Sequence, residues 1–396
     1  MSFSSSQRSS GFIVSVTLFL LTASPVIAED DSPEENLARY ARHGAHVWAR
    51  NPTARISGEG KACVSCHTSL PYALVEPLLS DHDAAYDELI ENIDERARGW
   101  ADNAPWYSEH KLELIAAAAN LPKDTLKQTL NGPESRGSEA VLNALIRAMH
   151  DAYAQRPAER ETQLAFENLW AEQVTSGPTA GRWRWIRANL VPWEASDSDV
   201  WGASLACVAA SLYPDLAPRR NLQLLYGSLQ QASRDPAVSL HAKSGVLWCD
   251  AESGRAVLED DAAAKLSSEL LALQREDGGW ALRDLGPWTG WEGSDSDCCE
   301  RRVVRSDAYA TGFVTLALSR SGPWPNESKL PMDAAVAWID RQLANPYPAG
   351  PTYNTLTSAD TAMPEFRDNL YANAGAMWSY LAKRVHVSNR APWEAP

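Results

Sequence analysis

The chain has 396 residues, an apolar fraction of 44% and a formal net charge of −15. No basic stripe is present to neutralise phosphates, which excludes nucleic acid as a partner. Length and apolar content allow one large domain or two smaller ones with a sizeable core. The sixteen tryptophans are an unusual number for such a chain.

The first 28 residues read as an export signal. Arg8 supplies a positive start, Gly11 to Leu21 an apolar run, and Val26-Ile27-Ala28 the small residues a signal peptidase reads, so cleavage is expected before Glu29. The run is shorter than the roughly 20 residues of a spanning helix. No later stretch is apolar enough to span, so the mature chain is expected outside the cytoplasm, periplasmic or otherwise exported, with no transmembrane segment.

A helix is expected over Glu35 to Arg50. Beyond it, Lys61-Ala62-Cys63-Val64-Ser65-Cys66-His67 is a C-x-x-C-H motif. Thiols at this spacing can add across the two vinyl groups of one haem, and His67 then falls under the iron as proximal ligand. A disulfide between the two cysteines and a zinc pair are the competing readings. A thioredoxin-like pair needs a βαβ setting, and nothing here alternates that way. One motif implies one covalently attached haem c, and a haem carried by an exported chain points to a redox partner protein. For the sixth iron position His46 and His110 are candidates, with His43, His82 and Met149 behind them, and an open site is equally compatible. Residues 29–82 form the haem-binding segment, too short to enclose a haem as an independent domain. The apolar Leu70-Pro71-Tyr72-Ala73-Leu74-Val75 is expected to pack on the ring or on the rest of the chain.

From residue 83 onward, helices of two kinds alternate. Amphipathic ones are expected over Asp83–Trp100, Ala158–Val174, Pro218–Arg234, Val257–Arg275 and Met332–Ala344. Nearly apolar, Ala-rich ones are expected over Gly137–His150, Asp199–Leu212, Leu240–Ala251, Ser306–Ser319 and Asn369–Leu381. A helix apolar on every face must be buried, and Ser, Asp or Asn near several starts can cap them. The apolar segments repeat one small-and-apolar pattern, the signature of stacked hairpins.

Leu270-Leu271-Ala272-Leu273-Gln274-Arg275-Glu276-Asp277-Gly278-Gly279-Trp280 resembles the Gln-to-Trp repeat of the squalene–hopene cyclase and prenyltransferase family. A degenerate copy runs from Leu169 through Gln173 to Gly181-Arg182-Trp183. A third, around Trp338 and Gln342, lacks the Gly-x-Trp half. The resemblance implies an all-α (α/α) toroid of about five to six hairpins, placed here at 83–396. The protonating cyclases of that family carry an Asp-x-Asp-Asp acid, and this chain has no such run. It has instead Asp197 with Asp199, and Asp295 with Asp297, in loops before apolar helices. As acid and base at a cavity mouth they would make the toroid an enzyme with a structural haem; as caps they would serve helix starts. Cys207 and Cys249 lie at similar depth in consecutive apolar helices, so a disulfide between them is expected, two buried thiols being the alternative. Cys298 and Cys299 are adjacent and their pairing is open.

Overall fold

A computed structural model of the chain describes residues 32–50, 62–79, 82–103, 113, 132–187, 191–288, 306–322, 326–344, 370–388 and 390–394. The export signal, His110, Asp295, Asp297, Cys298 and Cys299 lie outside the described residues.

Among the described residues the protein is all-α, as expected. Its twelve helices are α1 (Pro33–Arg50), α2 (Ser69–Val75), α3 (Ala84–Arg98), α4 (Gly132–Tyr153), α5 (Arg160–Ala171), α6 (Ser198–Leu212), α7 (Arg219–Arg234), α8 (Leu240–Glu252), α9 (Asp260–Ala272), α10 (Ala308–Ser321), α11 (Asn326–Leu343) and α12 (Leu370–Ser388). None of them is long and apolar enough to cross a membrane.

The two expected helix kinds are present and alternate. In α6 every residue from Ser198 to Ala210 is buried, and in α10 every residue from Tyr309 to Leu318. By contrast α7 buries only Leu225, Ser228, Leu229 and Ala232, a stripe at helical spacing with solvent on the rest. Capping follows the sequence at three starts. Ser239 accepts from the Ala242 amide at 3.2 Å, Asp307 from Ala310 at 2.8 Å and Asp83 from Ala85 at 3.2 Å. The start of α11 departs from expectation. A boundary after Pro331 follows from its missing N–H, yet the helix begins at Asn326 and carries Pro331 inside it.

The even-numbered helices pack on one another in succession. α2 lies against α4, α4 against α6, α6 against α8, α8 against α10 and α10 against α12, and α12 packs back on α2. Of the odd-numbered helices, α1, α7, α9 and α11 each pack on two even ones, and α3 and α5 pack on α4. The approach of α10 and α12 is especially close: a Cβ on Gly312 would stand 2.4 Å from the Ser379 amide nitrogen, and one on Gly375 2.8 Å from that of Tyr309. Glycine is what lets the two backbones touch.

The short α2 is the element the sequence reading left unassigned. All seven of its residues are buried, and its contacts with α1, α4 and α12 place it, with Leu37, Tyr40, Ala41, Val64 and Cys66, in the same hydrophobic core as the later helices. The Cys207–Cys249 disulfide is present, with Cα atoms 5.6 Å apart, and joins α6 to α8.

Candidate functional site

The motif is held by backbone bonds before any cofactor is considered. Asn92 donates to the Ala62 carbonyl at 2.7 Å, and the Trp48 indole donates to that of Cys63 at 2.8 Å. The Ser65 hydroxyl accepts from the amides of Thr68 and Ser69 at 3.2 and 3.0 Å, satisfying donors at the start of α2. Cys66, His67 and Thr68 thus form a turn, closed by the Ser65 hydroxyl, that leads directly into a buried helix.

Cys63, Cys66 and His67 are 7, 9 and 7% exposed, and the two cysteines are not bonded to each other. The His67 Nδ1 lies 2.9 Å from the Thr68 hydroxyl, so Nε2 is the nitrogen left to a metal. Trp48 meets the imidazole edge-on at 4.7 Å between ring centroids, and Trp193 lies at 5.8 Å. Burial holds the His67 pKa down to about 3, so the ring is neutral, the form that ligates iron.

The thiols point the same way. Burial pushes the Cys66 pKa well above its ordinary value, and the Glu194 carboxyl and Cys63 push it further. A metal-binding or thioredoxin-type cysteine needs surroundings that lower it. No three of the described His, Cys, Asp and Glu side chains converge as a coordinated ion requires. The turn therefore presents one neutral imidazole and two thiols that are not bonded to each other.

Around this turn stand residues the sequence reading did not single out. Glu194 keeps some accessible area yet is enclosed by protein, and burial pushes its pKa up to about 8. The Trp193 indole donates to the Tyr309 hydroxyl at 3.0 Å, and the same hydroxyl lies 2.9 Å from His241 Nε2. Trp201, Trp288 and Phe313 surround the His241 ring at 5.3 to 5.9 Å. Further along the even helices Phe313 meets Trp378 at 5.3 Å and Trp378 meets Trp248 at 5.9 Å, all three fully buried. Tryptophan and phenylalanine thus fill the space between these helices. One signal was available: His241 and Tyr309 each stand two residues after the capping residue of their helix, Ser239 and Asp307. No family model matches this chain, and no curated protein compared with it does.

The loop carboxylates are engaged structurally. Asp199 is buried between the guanidinium groups of Arg182 and Arg187, each at 3.3 Å. Asp197 sits at the cap position of α6, but its carboxylate accepts no capping bond from that helix. It accepts instead from the Ser239 amide at 2.7 Å, tying the starts of α6 and α8 together. The expected capping of α6 is therefore replaced by a bond to the neighbouring helix, because the two starts lie side by side. His46 is 3.6 Å from Asp83 and 39% exposed, on the face of α1 away from Trp48. His82 is exposed beside Asp87 at 2.8 Å, and Met149 is fully buried in α4. His43, half-buried on α1, completes the described candidates for the sixth position.

Proposed function

We propose that this is an exported, single-haem c-type protein acting in electron transfer or haem redox chemistry, its haem attached through Cys63 and Cys66 with His67 as proximal ligand. The observation that carries the reading is the set of donors itself. Two thiols that are not bonded to each other, that of Cys66 kept protonated by burial, precede a neutral imidazole whose Nδ1 is bonded to the Thr68 hydroxyl. When bound, the group supplies a one-electron centre. The chain's own residues orient the ligand: the Thr68 hydroxyl bonds Nδ1 and leaves Nε2 to the iron, while Trp48 and Trp193 pack against the ring.

The body that carries the motif is read as an (α/α) toroid of six hairpins. Support comes from the packing order, in which six mostly buried helices succeed one another and α12 returns to α2 while amphipathic helices cover them. In this reading the motif lies at one mouth, beside the loop before α6 and the first turn of α10. With Asp199 neutralised by two arginines and Asp197 bonded to Ser239, the arrangement favours a redox protein over acid–base catalysis by these loop carboxylates. The strong negative charge fits a redox partner with a basic face.

The test is chemical. Mature protein from a host competent in c-type maturation should keep a haem-sized mass increment after denaturation and acid–acetone extraction, and should show reversible reduction in its absorption spectrum. Cys63→Ser with Cys66→Ser should abolish the increment. Thr68→Val should leave it in place but weaken the axial bond by about 10- to 100-fold, read as faster displacement of the histidine by an added ligand. A colourless protein from such a host would sink the proposal.

A further inference from the structure

Tyr309, fully buried in an aromatic core, must bond its hydroxyl. An indole N–H only donates, so the phenol oxygen accepts from Trp193, and the same hydroxyl shares a hydrogen bond with Nε2 of the neutral His241. His241 is boxed by Trp201, Trp288 and Phe313 and cannot turn away. Packing alone does not ask for this chain: phenylalanine at 309 and leucine at 241 would fill the same space without burying polar atoms. What the chain does is fix the Trp193 ring, which lies 5.8 Å from His67. Trp48, the other indole against His67, is fixed by its bond to the Cys63 carbonyl.

Building on the haem reading above, we infer that Tyr309 and His241 are positioning residues for the His67 imidazole, acting through Trp193. They stand 242 and 174 positions away in the chain (309 − 67 and 241 − 67), on α10 and α8, so the body of the protein and not the motif alone sets the orientation of the axial ligand. Orientation of a ligating imidazole by its outer partners tunes the iron it binds.

The experiment uses the full haem-loaded chain with four single variants and one double. Tyr309→Phe should retain covalent haem but shift the reduction midpoint by an amount equal to about a threefold or larger change in the oxidised-to-reduced ratio, the scale of one buried hydrogen bond. Its ferric electron paramagnetic resonance signal should move with it. His241→Leu and Trp193→Phe should shift both readouts as well, which keeps the test alive if Tyr309→Phe folds poorly. Trp183→Phe loses an equally buried indole bond, to the Leu169 carbonyl, and should shift neither. The Tyr309→Phe, Trp193→Phe double should match Trp193→Phe alone, because one residue acts through the other. Parental potential and spectrum in Tyr309→Phe, or additive shifts in the double, would overturn the inference. A parent without haem would overturn the reading it rests on, and the pigment of the parent tells the two failures apart.

Discussion

Enclosing a carboxyl group removes the water its charged form needs, and Glu194 responds by holding its proton up to about pH 8. In the unfolded chain the same group ionises near its ordinary 4.5. Between those values the folded state keeps a proton the unfolded state has lost, so stability falls as pH rises through that window and levels off above it. The histidines act with the opposite sign. Burial lowers His67 and His241 from 6.5 to about 3, so their contribution is lost as pH falls below 6.5. In the haem-free chain, Glu194→Gln is expected to remove the decline between about pH 6.5 and 8, and to steepen the rise from about pH 5 to 6.5, where the two histidines outweigh the carboxyl. Urea midpoints measured across pH check this; an unchanged slope would show that Glu194 is not the group responsible.

At the scale of the element, the two Gln-to-Trp copies are chemically equal although one is degenerate in sequence. The Gln274 amide donates to the carbonyls of Gly278 and Pro331 at 2.8 and 2.7 Å, and the Trp280 indole to that of Leu270 at 2.7 Å. In the other copy Gln173 donates to Gly181 and Asn221, both at 3.1 Å, and Trp183 to Leu169 at 2.7 Å. In each copy the indole takes a carbonyl near the C-terminal end of the helix just completed, and the glutamine reaches the next odd-numbered helix. The glycines match too. Gly181 and Gly278 have φ of +93° and +94°, and a Cβ on either would run into the backbone of that next helix, at Leu224 or Ala334. Gln173→Ala and Gln274→Ala should therefore destabilise by similar amounts, about 1–3 kcal/mol each, since both leave carbonyls short of a donor. Thermal or urea unfolding would reveal it, and a near-silent Gln173→Ala would mean that the degenerate copy is not equivalent. Trp338, near the third and incomplete copy, takes a different partner. That indole donates to Asp277 at 3.2 Å and so braces the loop of the second copy.

At the scale of the molecule, stability rests on keeping successive even helices in register. The Cys207–Cys249 bond closes 42 positions of sequence between α6 and α8. Constraining a loop of that size removes unfolded-state freedom equivalent to about 2–4 kcal/mol. Cys207→Ala with Cys249→Ala should lower the unfolding free energy by that order under oxidising conditions, and reducing agent should reproduce the loss in the parent protein. A parent indifferent to reductant would contradict this. The far end of the same helices is tied separately. Glu252 accepts from Arg320 at 2.6 Å and from the Trp393 indole at 3.2 Å, which fastens the C-terminal segment across α8 and α10.

Much of this was legible in the residues themselves because it depends on neighbours in sequence. Helical spacing gave the two kinds of helix, the C-x-x-C-H spacing gave the candidate attachment turn, and equal depth in consecutive apolar helices gave the Cys207–Cys249 pair. The seven-residue α2 escaped because a run that short shows no period, and burial against α4 and α12 is what supports it. Asp197 and Asp199 read as caps or catalytic acids because their partners, Ser239, Arg182 and Arg187, are brought in only by packing. Glu194, Trp193, His241 and Tyr309 read as ordinary core or loop residues for the same reason. Spacing along the chain decides what a segment can become, while the pKa of a buried carboxyl or the direction of a buried hydroxyl depends on which distant side chains surround it, and only the tertiary structure determines that.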